Sequence, residues 1–227
     1  MKLRHLSAVA ATVCILAGAN VAAAQSAAPL PSDINAKSRA RLPYVQRKDT
    51  DEQAKRLFDI FVRGSNTPTD ELGGPLAFAA YNVPVANALL DLHDGAVGKG
   101  TLDAHVRELA ILVACRATNY DFEWNGHVPA ALKAGVEQKV VDVVKTGGAL
   151  TGLSEADAAV IRFGRELLND REMSSATFAK AKQLFGDKGA MDLVAVMSTY
   201  AVSGFYAIAV DEHPAAGQPT LPAVAAH

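Results

Sequence analysis

The sequence predicts an all-α fold, and three features of the 227-residue chain carry that prediction. Apolar residues recur at three- and four-residue spacing along most segments. Residues that favour helix N-caps precede several of these segments, and glycines follow several of them. No segment is a better candidate for a β-strand than for a helix, so we expect a helical bundle.

The N-terminal 24 residues have the pattern of a secretory signal, with basic residues at Lys2 and Arg4, an apolar run and an Ala-x-Ala site before Gln25. We therefore expect a periplasmic or secreted protein. Removing 24 of 227 residues leaves 203, enough for one domain with a sizeable core. The predicted organisation is a signal at 1–24, an extended leader at 25–49, a helical domain at 50–213 and a flexible tail at 214–227.

Within the domain, each helix is predicted from its periodicity and its caps. Pro84 predicts a break inside the second helix, because proline disfavours helix at the preceding residue. Thr101 is the expected N-cap of the third helix, and Asn119 or Asp121 that of the fourth. The predicted helices span 51–63, 76–92, 101–118, 121–134, 137–145, 155–168, 175–185 and 190–209.

Composition restricts the classes of partner. The formal net charge is −2 and the basic residues are scattered, which argues against nucleic acid and against an anionic membrane surface. After signal removal Cys115 is the single cysteine, so no intramolecular disulfide is expected.

The candidate chemistry lies on two adjacent predicted helices. His105 and Glu108 share one stripe of the first helix, and Glu123 and His127 share a face of the second at i and i+4. Because a short connection favours antiparallel packing, Glu108 is expected opposite the Glu123/His127 pair. Two carboxylates around an imidazole can shift their pKa values and allow proton transfer near neutral pH. The alternative is an ordinary Glu/His pair on a solvated face.

A further pattern of residues accompanies this spacing. Arg107-Glu108-Leu109 is followed by Glu123-Trp124-x-x-His127, and then by Ala131 and Gly135. The pattern, over about residues 101–148, resembles the carboxymuconolactone decarboxylase family, which includes the alkylhydroperoxidase D-like proteins. The resemblance implies an alkylhydroperoxidase D-like helical bundle that assembles as a homo-oligomer, a trimer or a hexamer, with sites near helix and subunit interfaces.

The sequence departs from the peroxidase branch of that family. The positions of its Cys-x-x-Cys pair hold Tyr120 and Glu123, which excludes a two-cysteine mechanism. The resemblance is instead to the thiol-free branch, and it implies acid/base chemistry with no cofactor. His127 would then donate or accept the proton, Glu108 would tune it and Glu123 would orient or share the proton. Tyr120, Trp124 and His105 are the expected substrate-binding residues.

The predicted function is therefore an exported lyase or isomerase, decarboxylase-like, acting on a small organic acid or lactone. One alternative is a peroxidase or alkylhydroperoxidase-type antioxidant enzyme that uses Cys115 alone. Another is a binding protein for a small acid that has lost turnover. A metal site at His93, His105, His127 and the glutamates is considered but not predicted, because no spaced His/Cys signature accompanies these residues.

Overall fold

The computed structural model describes residues 30–64 and 72–223, and within these ranges the regular structure is helical, with no β-strand. The predicted all-α fold is confirmed. The predicted signal at 1–24 lies outside the described residues, as do parts of the leader and of the tail. The α-helices are α1 (Lys55–Gly64), α2 (Pro75–Ala79), α3 (Val83–His93), α4 (Ala104–Ala117), α5 (Asp121–Lys133), α6 (Gln138–Thr146), α7 (Glu155–Gly164) and α8 (Ser175–Val210).

Helix α4 is the centre of the bundle. It packs against α5, α6, α7 and α8, and every residue from Leu109 to Arg116 is buried. Fully burying one leucine or isoleucine contributes roughly 1.5–3 kcal/mol, so the apolar run on α4 supplies a large part of the core. A helix surrounded on all sides also holds its polar residues in fixed places, which matters for Glu108.

Helix α8 contains a kink and a close crossing. Gly186 has φ +73° inside the span, a left-handed conformation that glycine adopts without steric cost. This kink separates the two helices predicted at 175–185 and 190–209. Further on, a Cβ added at Gly204 would lie 2.2 Å from Thr118 Oγ1. The absence of that carbon lets α8 cross the C-terminal end of α4.

Several predicted boundaries differ from the structure. Asp103, not Thr101, caps α4, because its carboxylate accepts the Val106 N–H. The backbone N–H and hydroxyl of Thr101 instead donate to Asp192 Oδ2 at 2.6 and 2.5 Å. The expected break at Pro84 occurs before it, since α2 ends at Ala79 and α3 begins at Val83.

Two other predicted boundaries also change. Helix α5 begins at Asp121 without a side-chain cap. Helix α7 changes to a π-helical turn at Arg165–Asp170, so the helix predicted over 155–168 is continuous but not α-helical throughout.

The chain segments at both ends lie against the bundle. In the leader, Arg41 N donates to Val210 O at 2.7 Å, at the end of α8. In the tail, Arg116 donates to Pro222 O at 2.7 Å, and Leu221 N donates to Asp121 Oδ1 at 2.7 Å. The described part of the tail, expected to be flexible, is thus tied to α4 and to the start of α5.

One described helix, Ser175–Val210, is long and apolar enough to cross a membrane by length and composition. Half of its most apolar stretch is buried inside the fold. On α8, Leu193, Val196 and Met197 are fully buried in the main hydrophobic core.

Candidate active site

A tight turn between α4 and α5 builds the candidate site. Only residues 118–120 connect the two helices, Asn119 takes a left-handed φ of 51°, and Tyr120 N donates to Cys115 O at 2.8 Å. The chain therefore reverses within one turn. As a result Glu108, from the first half of α4, lies beside His127 on α5.

The imidazole of His127 lies between two carboxylates. Its Nδ1 is 2.8 Å from Glu108 Oε2, and its Nε2 is 3.2 Å from Glu123 Oε2. The side chains of His127, Glu108 and Glu123 are 21%, 12% and 15% exposed. The arrangement expected from the sequence is present, and the alternative of a solvated surface pair does not fit these values.

Burial disfavours the charged imidazole, but the hydrogen bonds to Glu108 and Glu123, together with their negative charges, outweigh it. They raise the pKa of His127 to about 9 from 6.5. At neutral pH both ring nitrogens therefore carry protons, and each donates to a carboxylate. The His127 imidazole is therefore protonated at neutral pH although its side chain is mostly buried.

Tyr200, on α8, is a site residue that sequence analysis missed. The edge of one ring points at the face of the other, at 5.0 Å between the centroids of Tyr200 and His127 and an interplanar angle of 87°. The Tyr200 side chain is buried, and burial followed by the charge of Glu123 raises its pKa. Ser198, Thr199, Ser203 and Tyr206 also carry hydroxyls in this part of α8, so the sequence offered no signal that singles out Tyr200.

Tyr120 and Trp124 lie on the same helix-turn unit and are both buried. Trp124 packs in the main hydrophobic core. The Tyr120 hydroxyl donates to Glu212 Oε2 at 2.8 Å. Burial raises the pKa of Glu212 to about 7. Glu212 lies in the segment after α8, and sequence analysis did not identify it.

His105 is not brought into the cluster. Its Nε2 is 2.7 Å from Asp157 Oδ1, and Asp157 Oδ2 accepts the Ser154 hydroxyl at 2.7 Å. Ser154 and Asp157 form the first turn of α7. At the position of His105, one helical turn before Glu108, α4 contacts α7, whereas at Glu108 it contacts α5. The structure therefore corrects the expected position of His105 beside the other site residues.

Cys115 is free and fully buried. Burial, and then the charge of Glu123, raises the pKa of its thiol well above the usual value. Since the thiolate is the nucleophile, this environment suppresses thiol reactivity. Among the residues that the structure describes, no group of three or more His, Cys, Asp or Glu side chains is arranged to hold a metal ion.

A separate cavity of about 330 Å³ lies between α7 and α8. None of the predicted site residues lines it. Its lining residues are Glu155, Ala158, Ala159, Arg162, Ala176, Thr177 and Lys180. The assignment of the site therefore rests on the side-chain cluster around His127.

Comparisons with known proteins agree with this architecture. Residues 84–166 match the carboxymuconolactone decarboxylase family. The structure is similar to an alkylhydroperoxidase AhpD core, an uncharacterized peroxidase-related protein from Ralstonia eutropha JMP134. The two chains are 18% identical, the TM-score is 0.60, and the match covers 78% of this chain and 93% of that one.

A second similar structure is that of the debrominase Bmp8, a cysteine-to-alanine variant in complex with 2,3,4-tribromopyrrole. Here the identity is 13%, the TM-score is 0.59, and the match covers 76% of this chain and 90% of that one. No curated protein sequence matches the chain. At these identities the structural likeness establishes the fold alone, and the predicted alkylhydroperoxidase D-like bundle is confirmed.

Proposed function

We propose that the chain is an acid/base enzyme of the carboxymuconolactone decarboxylase type, which is supported by the match of residues 84–166 to that family. It acts without a cofactor, as a decarboxylase-like lyase on a small organic acid or lactone. The observation that carries this function is the imidazole of His127 held between Glu108 and Glu123 at 2.8 and 3.2 Å. Such a group donates and recovers a proton inside a mostly buried site.

The two ring nitrogens have different roles in this function. Glu108, from α4, holds Nδ1 at the shorter distance and fixes the orientation of the ring. Glu123 is bound to Nε2 at the longer distance and belongs to the same helix as His127. In this proposal Nε2 is the nitrogen that transfers the proton, with Glu123 moving aside or passing the proton on.

The raised pKa of His127, about 9, favours proton donation over proton abstraction as the role of its imidazole. At pH 7 only about 1% of such an imidazole is in its neutral form. In a decarboxylation, the bond to the carboxyl carbon breaks, CO₂ leaves, and the electron pair remains on the substrate as an enolate. The imidazolium then protonates the enolate carbon and regains its proton from water, so that one proton is consumed for each CO₂ released.

A one-cysteine peroxidase is the main alternative enzyme. It requires Cys115 as a thiolate, yet the side chain is fully buried and its thiol pKa is raised. Both observations count against that alternative. Peroxide consumption by the protein that is lost in Cys115→Ser would support the alternative. Consumption that survives in Cys115→Ser would exclude Cys115 chemistry.

The test of the proposed function is an unbiased search for turnover. The purified protein is incubated with a metabolite extract and the consumed masses are followed, with His127→Gln as the control. We expect the wild type to consume a small acid or lactone and His127→Gln not to consume it. Full consumption by His127→Gln would remove His127 from the mechanism. Tight binding of a small acid that is never converted would favour the non-catalytic alternative.

We further propose that the chain is exported and assembles as a homo-oligomer, a trimer or a hexamer. Export is supported by the signal pattern at 1–24, and the mass of the mature protein tests it. Association is supported by large apolar side chains on the outer face of α8, where Phe205 and Ile208 are 61% and 57% exposed. Light scattering after size-exclusion chromatography gives the subunit number.

A further inference from the structure

Tyr200, on α8, has a hydroxyl group without a hydrogen-bond partner among residues 30–64 and 72–223. The residue as a whole is only 5% exposed. Five polar side-chain atoms in the same ranges are both fully buried and unpartnered, and this hydroxyl is not one of them, so its oxygen keeps accessible surface. A buried tyrosine usually finds a partner for its hydroxyl. The free hydroxyl of Tyr200 is therefore suited to an acceptor that a ligand brings.

The ring of Tyr200 contacts the candidate catalytic group. Its centroid is 5.0 Å from that of His127 and 6.2 Å from that of His93, at the end of α3. The side chain of His93 is 44% exposed, whereas that of His127 is 21% exposed. The ring of Tyr200 thus connects the imidazole with the surface at the end of α3. A small molecule that meets the accessible hydroxyl lies beside the ring that packs on His127.

The surroundings of Tyr200 keep its hydroxyl protonated. Burial raises its pKa most, followed by the charges that Glu123, Cys115 and Glu108 carry when ionised, and the positive charge of Arg107 opposes the rise. At neutral pH the hydroxyl is therefore a hydrogen-bond donor and not a base. It can bind an oxygen on which negative charge develops, and it keeps its own proton while doing so.

We propose that the Tyr200 hydroxyl donates a hydrogen bond to the substrate oxygen that becomes negatively charged when CO₂ leaves. The inference rests on the proposed function, in which the electron pair of the broken bond forms an enolate. The O–H bond of Tyr200 stays intact, and the proton that ends on carbon comes from the imidazolium of His127. Tyr200 is then a second catalytic residue, since it touches the oxygen where charge develops. A fixed donor at this position stabilises the transition state more than the ground state.

The first experiment measures the binding of a stable oxyanion and needs no turnover. The probe is 4-nitrophenolate at pH 8, where His127, with a pKa of about 9, is still mostly protonated. Its methyl ether, 4-nitroanisole, is the uncharged comparator. The absorption band of 4-nitrophenolate shifts to shorter wavelength when its oxygen accepts a hydrogen bond. Calorimetry gives the affinities, and the band position reports the hydrogen bond itself.

The variants separate the hydroxyl from the ring that carries it. Tyr200→Phe keeps the ring that packs on His127 and removes the hydroxyl. Because this hydroxyl has no partner in the free protein, Tyr200→Phe should keep the thermal unfolding midpoint and the His127 pKa of the wild type. Tyr206→Phe is the matched control, since Tyr206 also lies on α8 but packs against the cluster that contains Ala40 and Phe78.

We expect the wild type to bind 4-nitrophenolate at least tenfold more tightly than 4-nitroanisole. Tyr200→Phe should weaken 4-nitrophenolate binding by about tenfold to a hundredfold, the range of a hydrogen bond to a charged group, and should abolish the band shift. Its affinity for 4-nitroanisole should be that of the wild type. Tyr206→Phe should bind both probes as the wild type does.

The second experiment uses the substrate found in the metabolite search. Tyr200→Phe should lower kcat by about 10²–10³-fold, the usual cost of removing one donor to a developing oxyanion. KM should change little, because the negative charge is absent from the bound substrate. A raised KM with an unchanged kcat would contradict the proposal and assign Tyr200 to ground-state binding.

The binding results can also overturn the proposal. Equal affinity of the wild type and Tyr200→Phe for 4-nitrophenolate would do so, as would equal affinity of the wild type for the two probes or no binding of 4-nitrophenolate. Equal weakening in Tyr206→Phe would also count against it. Circular dichroism checks folding, and Tyr200→Met, which lacks the hydroxyl as well, carries the test if Tyr200→Phe does not fold.

His127→Gln separates this inference from the proposed function. If Tyr200→Phe loses probe binding and kcat while turnover persists in His127→Gln, the role of the hydroxyl stands and the acid/base role of His127 fails. If turnover stops in His127→Gln while Tyr200→Phe binds the probe as the wild type does, the proposed function stands and this inference fails.

Discussion

Helix α4 takes part in two histidine–carboxylate contacts one helical turn apart, and their surroundings differ. Glu108 accepts from His127 at 2.8 Å, and His105 bonds Asp157 at 2.7 Å. The distances are nearly the same. His127, however, has a second carboxylate on its other nitrogen and a tyrosine ring at its face. Asp157 is shared instead with Ser154, whose hydroxyl also caps α7.

The difference shows that a short His–carboxylate distance alone does not identify a catalytic group. The Asp157 pair joins two helices and satisfies a buried carboxylate, which is a structural role. The His127 cluster holds an imidazole between two carboxylates in a mostly buried position, which is the geometry that the proposed proton transfer requires. The two pairs can therefore serve as each other's controls.

The largest expected difference is in turnover. His127→Gln should lower kcat by about 10²–10⁴-fold, the usual contribution of general acid–base catalysis. His105→Gln should leave kcat within a few-fold of wild type, because that side chain bonds α7 and not the cluster. Both variants are compared on the substrate found in the metabolite search, after circular dichroism has confirmed their helicity. Similar losses of kcat in His127→Gln and His105→Gln would contradict the different roles assigned to the two histidines.

The second difference is in the pH dependence of stability. The pKa of His127 is raised to about 9 in the folded protein. Its stabilising contribution is therefore fully present below pH 6.5 and lost as the pH rises through 9. A pKa rise of this size corresponds to a contribution on the order of 3 kcal/mol.

Urea unfolding at several pH values between 6 and 10 measures this contribution. The wild type should lose stability across the window, and His127→Gln should lose much less. Parallel curves for the two proteins would show that His127 does not hold an extra proton in the folded state.

The third difference is between a carboxylate that stabilises the protonated imidazole of His127 and a carboxylate that stabilises the fold. Glu108→Gln should lower kcat by roughly tenfold to a hundredfold, since it removes one of the two charges that stabilise the imidazolium. Asp157→Asn should instead lower the free energy of unfolding by about 1–3 kcal/mol with kcat nearly unchanged, because it weakens a buried hydrogen-bonded contact. Steady-state kinetics and urea unfolding on both variants provide the comparison. A large loss of kcat in Asp157→Asn would contradict it.

The smallest expected effect concerns Glu212, which accepts from Tyr120. Its folded pKa is about 7, raised from 4.5. Its contribution is therefore present below pH 4.5 and lost as the pH rises through 7. Glu212→Gln keeps an acceptor for the Tyr120 hydroxyl and removes the titration.

We expect Glu212→Gln to match the wild type near pH 4.5 and to be more stable at pH 8 by about 1 kcal/mol, after allowance for solvent screening. Thermal unfolding of both proteins at pH 4.5 and pH 8 measures this difference in stability. A variant less stable than the wild type at pH 8 would contradict the origin assigned to the raised pKa.

Local sequence signals predicted the fold and the centre of the site. The i, i+4 spacing of Glu123 and His127, and the short connection to α4, were enough to bring Glu108 to the imidazole. The sequence also places glycines where two helices end. Gly135 follows α5 and Gly147 follows α6, and both adopt a left-handed backbone, with φ angles of 92° and 71°. These features depend on residues close together in the chain, so the sequence contains them.

Contacts between distant segments were not predictable in the same way. Tyr200 and Glu212 come from the end of the chain, and Asp157 from α7, so only the packing of α7 and α8 decides which α4 or α5 residue each one meets. His105 was placed in the cluster because its stripe includes Glu108. Helical periodicity shows that His105 and Glu108 lie on the same face of α4. It does not show which neighbouring helix packs against each turn of that face, and here α7 contacts His105 while α5 contacts Glu108.

The central claim is that the folded protein holds His127 protonated between Glu108 and Glu123. The most direct measurement is an NMR titration of the His127 imidazole nitrogens in ¹⁵N-labelled protein, with His105→Gln to aid assignment. The account predicts a pKa near 9 that falls in Glu108→Gln. A His127 pKa at or below 6.5, unchanged by Glu108→Gln, would contradict it.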